Sequence, residues 1–455
     1  MPPDTARAAP LHWEAGDTSR IPFAVYTDAD RHRQELERLF YRGHWCYVGL
    51  EAEVPEPGDF KRTVVGERSV ILTRADDGSL HVVENVCAHR GMQFCRERHG
   101  QRKEFVCPYH QWSYTLKGDL QGVPLRRGVR QDGKVLGGMP ADFNPKDHGL
   151  TALKVATRGG VVFASFDHGV EPLEDYIGPE ILPYFDRLFN GRKLTILGYN
   201  RQRIPGNWKL MQENIKDPYH PGLLHTWFVT FGLWRADNKS ALRMDAHHRH
   251  AAMISTRGTG GQTSGQAAQL TQVSSFKASM QLEDPRFLDI VPEPWWALGD
   301  EIPTPPGRPK ASDAPSGGSE THAVASVGAQ APTAVMLTLF PSVVFQQQVN
   351  SVSTRHIQPD GHGAFEFVWT HFGFEDDTPE MTQRRLRQAN LFGPAGFVSA
   401  DDGEVIEFSQ QAFESKPGHR ALAELGGRAI ENTEHMVTET LIRGMYAYWR
   451  KVMEA

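Results

Sequence analysis

An α+β chain in two parts is what the sequence predicts: a small N-terminal all-β domain, then a larger domain with an antiparallel sheet surrounded by helices. Three observations predict it. Between Trp45 and Phe166, short β-rich runs alternate with Gly, Asp and Pro turns. Beyond residue 170, helical stretches near 206–230, 376–392 and 433–454 are separated by long strand-like runs at 335–357 and 363–374. The length of 455 residues exceeds one core, at roughly 100–200 residues per domain.

Residues 1–44 form the first element, with DRHRQELERLFYRGH (30–44) reading as an amphipathic helix. Leu36, Leu39 and Phe40 share one face, and the segment is expected to pack with the larger domain. Residues 45–166 form the β domain, with FKRTVVGERSVILTR and SLHVVENV as strands and GGVVFASF (159–166) as the closing one. Residues 167–455 form the larger domain. Inside it, 301–332 is rich in Pro, Gly, Ala and Ser and is expected to be a flexible insertion, since it has little apolar surface to bury.

A formal net charge of -6 gives no reason to expect nucleic acid or an anionic membrane as partner. The N-terminal stretch lacks a long apolar run, so a cytoplasmic location is the expectation. Four cysteines are too few for a disulfide scaffold. Three of them cluster between residues 87 and 107, which points to metal or catalytic chemistry.

That cluster has a pattern: Cys87-x-His89, 17 residues, then Cys107-x2-His110. Gly91 and Pro108 suit tight turns, each presenting one thiolate and one imidazole. Two such pairs bind a tetrahedral zinc, or a two-iron, two-sulfur cluster with both cysteines on one iron and both histidines on the other. Mixed loops in a β-rich context favour the cluster. Cys95, His99 and Cys46 read as packing or loop residues.

The second constellation is GNWKLMQENIKDPYHPGLLHTWF (206–228). His220 and His225 lie about 140° apart on an ideal helix, with Pro221 and Gly222 between them to bend it. Glu213, Asn214 and Asp217 fall within the same arc. Two histidines and one carboxylate, with positions left open, is the ligand set of non-haem Fe(II) oxygenases. The residues alone leave the third ligand open. A further histidine cluster, RMDAHHRH (243–250), reads as a solvated or interface feature more readily than as a second metal site.

Both constellations carry a resemblance. C-x-H-x17-C-x2-H, flanked by CAHRG and CPYHQW, resembles the Rieske centre of the large (alpha) subunit of aromatic-ring-hydroxylating oxygenases. ENIKDPYHPGLLH is similar to that family's E-N-x-x-D-x-Y-H-x4-H segment, and FGPAGFVSADDGEVIEFSQ (392–410) to its D-D segment. The resemblance implies a [2Fe-2S] Rieske cluster on Cys87, His89, Cys107 and His110, and Fe(II) on His220, His225 and Asp402. It implies that Asn214 sits beside the iron, and that Asp217 bridges His220 to His110 of a neighbouring chain in an alpha3 or alpha3beta3 ring with a small beta subunit.

The chain has no convincing dinucleotide fingerprint, so electrons come through a ferredoxin and an NAD(P)H-dependent reductase. The implied reaction is hydroxylation of an aromatic carboxylate with O2, salicylate to gentisate foremost. Oxidation of anthranilate, a halobenzoate or terephthalate, or conversion of salicylate to catechol, is the alternative. Phe228, Phe392 and Phe397 are expected as pocket walls. Gln346 and Gln348 share one strand face and Gln347 the other, so that one of the three can meet the ring substituents. The rival from another class is a zinc-stabilised scaffold with no turnover.

Overall fold

The computed structural model describes residues 13–225, 238–256, 291–296 and 332–454. The insertion up to residue 331 and Phe228 therefore lie outside the described residues. The chain divides into two compact units: Leu39–Glu171, and the residues up to Arg38 together with those from Pro172 onward.

The smaller unit is all β. A four-stranded sheet runs in the order Leu80–Glu84, Arg68–Arg74, Asp59–Val65, His99–Gln101. Val161–Ser165 pairs antiparallel with Cys46–Leu50, so the end of the unit closes on its beginning, as GGVVFASF suggests. A third sheet joins Phe105–Val106, Ser113–Tyr114 and Leu120–Gly122. Phe60, Ile71, Val83, Phe94, Phe105, Trp112 and Tyr114 form one apolar core, into which Cys87, Cys95 and Cys107 are built. This core stiffens the turns that carry the cysteines.

The larger unit centres on a seven-stranded antiparallel sheet. Its strands are β1 (Leu194–Ile204), β2 (Lys239–Met244), β3 (Ala251–Thr256), β4 (Ala334–Leu339), β5 (Val343–Gln348), β6 (Ser351–Pro359) and β7 (Phe365–Phe374). They lie in the order β1-β7-β6-β5-β4-β3-β2. Four helices matter for the site: α1 (Trp208–Lys216), α2 (Pro379–Phe392), α3 (Phe397–Ser415) and α4 (Thr440–Glu454).

The N-terminal segment belongs to this unit. Its helix is shorter than the sequence suggests, Ala29–Glu35 followed by a wider turn over Leu36–Phe40. The Glu35 carboxylate accepts hydrogen bonds from Trp208 Nε1, Lys209 Nζ and Trp449 Nε1, which ties it to α1 and α4.

Helix α1 starts where the Asn207 side chain accepts from the Lys209 amide. It stops at Lys216, well before residue 230. Asp217 precedes Pro218, which disfavours the helical conformation, and its backbone is extended. A single 3₁₀ turn, His220–Gly222, replaces the bent helix.

Helix α3 must begin close to the end of α2. A Cβ at Gly396 would lie 1.9 Å from the Leu391 carbonyl oxygen, so only glycine fits. That approach sets the angle at which the first turns of α3 present Asp401 and Asp402.

Candidate active site and metal centres

In the small unit, two turns of the same design face each other. The Gly91 amide donates to the Cys87 carbonyl at 2.9 Å and the Gln111 amide to the Cys107 carbonyl at 2.8 Å. The Cys87 and Cys107 amides in turn donate to the carbonyls of Met92 and Trp112, both at 2.9 Å. Gly91 and Gln111 occupy the left-handed position of each turn, at φ 72° and 57°. Glycine is at home there; glutamine is strained.

The four side chains fall into two pairs. Cys87 and Cys107 are buried free thiols within hydrogen-bonding reach of each other. The rings of His89 and His110 are 4.5 Å apart. His89 stacks on Trp112 at 4.7 Å, and its Nδ1 is buried without a hydrogen-bond partner among the described residues. Burial, then the neighbouring His110 and Arg90, push its pKa down and keep it neutral, as a metal ligand must be. Tyr114 Oη lies 3.2 Å from Cys87 Sγ.

A single tetrahedral ion would need all four donors within about 4 Å of one another. Among the described residues, only another group closes within 4.8 Å. A sulfur pair, a nitrogen pair and an orphaned imidazole nitrogen therefore fit a two-iron cluster better than zinc.

That other group is His220, His225 and Asp402. Asp402 Oδ1 lies 3.5 Å from His220 Nε2 and 3.3 Å from His225 Nε2. Each imidazole has a carboxylate behind it: Asp217 Oδ2 is 3.4 Å from His220 Nδ1, and Asp401 Oδ2 is 3.3 Å from His225 Nδ1. Asp217 is itself fixed by the Tyr219 and His220 amides. Asn214 Nδ2 donates to Asp402 Oδ1 at 2.9 Å, and Asn214 Oδ1 is buried without a partner among the described residues.

Two imidazoles among three carboxylates draw positive charge. Burial alone would lower the His220 pKa, but Asp217 and Asp402 hold it up at about 9. Burial alone would likewise raise Asp402, but both imidazoles hold it far below the carboxylate range. A divalent cation meets the same demand with neutral imidazoles. Glu213, which shares the arc with Asn214 on a helical wheel, is not among these groups: its carboxylate takes the Tyr446 hydroxyl.

One cavity opens onto this triad. Its walls include Ile215, Pro218, Met253, Met336, Val349, Val398 and Met436, with Asn214, Ser240, Ser255, Gln348 and Arg355 as polar points. The register of the sheet explains the lining. Ser240, Ser255, Ala334 and Gln348 are successive cross-strand partners on β2, β3, β4 and β5, so they form one row on one face. Met253, Met336 and Gln346 form the next row, and Val344, Arg355 and Trp369 another.

Arg355 has no counterpart among the residues the sequence singles out. It is 3% exposed, lies over the Trp369 ring at 3.8 Å, and its Nε has no hydrogen-bond partner among the described residues. Burial pushes its pKa down to about 9, partly offset by Asp402. The sequence signal is slight: a charged residue at the same parity as Ser351 and Ser353, small neighbours that leave it room.

Several pocket expectations change. Gln348 lines the cavity, and Gln346 donates to its Oε1. Gln347 points to the opposite face, where its Oε1 accepts from buried Arg187 at 2.6 Å. Phe392 is buried at the end of α2 and does not line the cavity. Phe228 and the Phe397 side chain lie outside the described residues. In RMDAHHRH, both ring nitrogens of His250 are engaged, by the Phe340 amide and the Tyr176 carbonyl, which leaves that imidazole no nitrogen for a metal.

Comparison with known proteins now decides the family. Residues 44–132 match the Rieske [2Fe-2S] domain, and residues 192–455 match the catalytic domain of the ring-hydroxylating alpha subunit. The chain belongs to the ring-hydroxylating oxygenase alpha-subunit family. As such it is a Rieske non-haem iron oxygenase, with a [2Fe-2S] cluster and a mononuclear Fe(II) as its cofactors.

It is 69% identical over 441 residues to the large oxygenase component of salicylate 5-hydroxylase from Ralstonia sp, covering 97% of this chain and 96% of that one. It is 38% identical to the large subunit of anthranilate 1,2-dioxygenase from Burkholderia cepacia, over 98% and 96% of the two chains. The fold matches that of naphthalene 1,2-dioxygenase from Rhodococcus sp., with a TM-score of 0.72 at 21% identity, over 95% and 94% of the chains. Among the described residues, no helix of this oxygenase is long and apolar enough to cross a membrane.

Proposed function

We propose that this chain is a terminal oxygenase component that hydroxylates salicylate to gentisate with O2, drawing electrons from NAD(P)H through a ferredoxin and a reductase. The observation that carries the aromatic-acid reading is Arg355, a buried cation lining an otherwise largely apolar cavity beside the triad. Its Nε has no hydrogen-bond partner among the described residues, a substrate carboxylate can supply one, and a flat ring is what the methionine and valine walls accept. The activity named for the Ralstonia relative fits that chemistry.

On this reading, Cys87, His89, Cys107 and His110 hold the [2Fe-2S] cluster, and His220, His225 and Asp402 hold Fe(II). When bound, the cluster supplies electrons singly and the iron supplies open positions for O2. The protein groups do the rest. Asp401 accepts from His225 Nδ1 and turns Nε2 toward the cavity. Asn214 steadies Asp402. Arg355 anchors the substrate carboxylate, and the Gln348 amide meets the ortho hydroxyl. Asp217 backs His220 while remaining 22% exposed, so its free edge is open to His110 of a neighbouring subunit in a ring of three alpha chains, with or without small beta subunits.

The test is product analysis. Purified oxygenase, a surrogate ferredoxin and reductase, NADH and salicylate should yield gentisate. Catechol, or a diol from anthranilate as the preferred substrate, would overturn the substrate assignment. A colourless protein with stoichiometric zinc would overturn the class.

A further inference from the structure

We infer that Met253 and Met336 form a site of reversible sulfoxidation, through which hydrogen peroxide made in wasted turnover closes the aromatic pocket. This inference rests on the oxygenase reading above and concerns the regulation of the same cavity.

Met253 on β3 and Met336 on β4 are direct register partners. Side chains at opposed positions of an antiparallel pair emerge on the same face, with Cα atoms about 5 Å apart. Both line the cavity that holds His220, His225 and Asp402, and Met436 reaches the same space from the segment before α4. Three of the chain's 12 methionines thus surround one small volume. All three are half-buried, so their sulfurs are not sealed in a core. Leucine would give the same apolar wall with better-defined rotamers and no oxidisable atom. Thioethers at this place add one property that leucine lacks: they react with peroxide.

The chemistry balances without another reagent. When electrons arrive and the bound acid cannot react, O2 takes two electrons and two protons and leaves as hydrogen peroxide. NADH supplies the electrons, as in productive turnover. A methionine sulfur then attacks the peroxide; an S–O bond forms, the O–O bond breaks and water departs. The sulfur is oxidised by two electrons and the peroxide is reduced by two. The product is a methionine sulfoxide, polar where the thioether was apolar. A sulfoxide pair in the row next to Ser255 and Gln348 removes the apolar contact for the ring while leaving the metal ligands untouched. The pocket then binds its substrate poorly, and electrons are no longer wasted on it. Methionine sulfoxide reductase reverses the change.

The experiment uses the complete reconstituted system with NADH, O2, catalase and an aromatic acid that binds without being hydroxylated. Peptide mass spectrometry reads the sulfoxide at each methionine. Catalase removes peroxide from the bath, so only oxidation at the source survives. The expected result is oxidation at Met253 and Met336 severalfold above the methionines remote from the cavity, with an about tenfold rise in KM for salicylate. Methionine sulfoxide reductase restores the KM. In Met253→Leu/Met336→Leu, KM stays at its starting value through the same treatment. Oxidation spread evenly over all methionines, or absent from the pair while NADH is consumed, overturns the inference. Gentisate formation from salicylate by the same preparation, assayed before the treatment, separates the two readings. Gentisate with an unoxidised pair refutes only the sulfoxidation site. An oxidised pair in a preparation that made no gentisate from salicylate before the treatment refutes only the salicylate assignment.

Discussion

Replacing Arg355 with methionine separates substrate recognition from fold stability, because the two respond with opposite sign. The Arg355 side chain is 3% exposed and its Nε has no hydrogen-bond partner among the described residues, so water screens it little. Removing one partner of a buried, charge-assisted pair costs about 2–5 kcal/mol. A mid-range loss of about 3 kcal/mol corresponds to about a 150-fold fall in kcat/KM for salicylate.

The substrate-free protein should not suffer. Burial lowers the Arg355 pKa from its ordinary range to about 9, a desolvation cost on the order of several kcal/mol in the folded state. A methionine of similar length removes that cost, as buried-ion replacements do elsewhere. The assay pairs steady-state kinetics on salicylate and on uncharged 2-hydroxybenzyl alcohol with thermal unfolding. The variant should lose its efficiency on the acid, keep it on the alcohol, and unfold no earlier than the parent. Equal losses on both substrates would show that Arg355 does not read the carboxylate. Early unfolding with loss of iron would show instead that it supports Asp402.

Three further outcomes follow from the site. Asp217→Asn should retain both metals, seen as cluster absorbance and stoichiometric mononuclear iron, yet lose about 10–100-fold in turnover; an empty iron site would make Asp217 a ligand and displace Asp402. Asp402→Asn should lose mononuclear iron by metal analysis while the visible spectrum of the cluster is unchanged. Glu213 governs a pH effect. Burial holds its carboxyl up at about 7 against an ordinary 4.5, so its contribution to stability is complete below 4.5 and is lost as pH rises through 7. Urea unfolding of the parent should therefore weaken by up to roughly 3 kcal/mol across that window, while Glu213→Gln stays flat; a parent that strengthens with pH would refute the assignment.

The parts legible in the sequence are those whose geometry is local. Cys87, His89, Cys107 and His110 sit on two short turns whose hydrogen bonds repeat position for position, so the matched pairs are readable from spacing alone. The parity of Gln346, Gln347 and Gln348 is equally local, and the opposite engagement of Gln347 follows from the period of a strand. The helix over 206–230 fails for a local reason too: Pro218, not Pro221, ends it, and a 3₁₀ turn brings the two imidazoles together. Phe392 misleads because proximity in sequence to Asp402 is not proximity in space. It closes α2, while Asp402 lies on α3 beyond the Gly396 corner.

The lining of the cavity is of another kind. Ser240, Ser255, Ala334 and Gln348 come from four strands and meet only because β2, β3, β4 and β5 pair in one register. Arg355 faces the cavity for the same reason, fixed by Val344 on one side and Trp369 on the other. A slip of one residue in any of these pairings would turn the row away from the triad while leaving every metal motif intact. The candidate metal ligands are therefore written in short spacings, and the lining of the cavity in long-range register. Two oxygenases with the same metal motifs can for that reason act on different aromatic acids, and the residues to exchange between them are those of the cavity-facing rows.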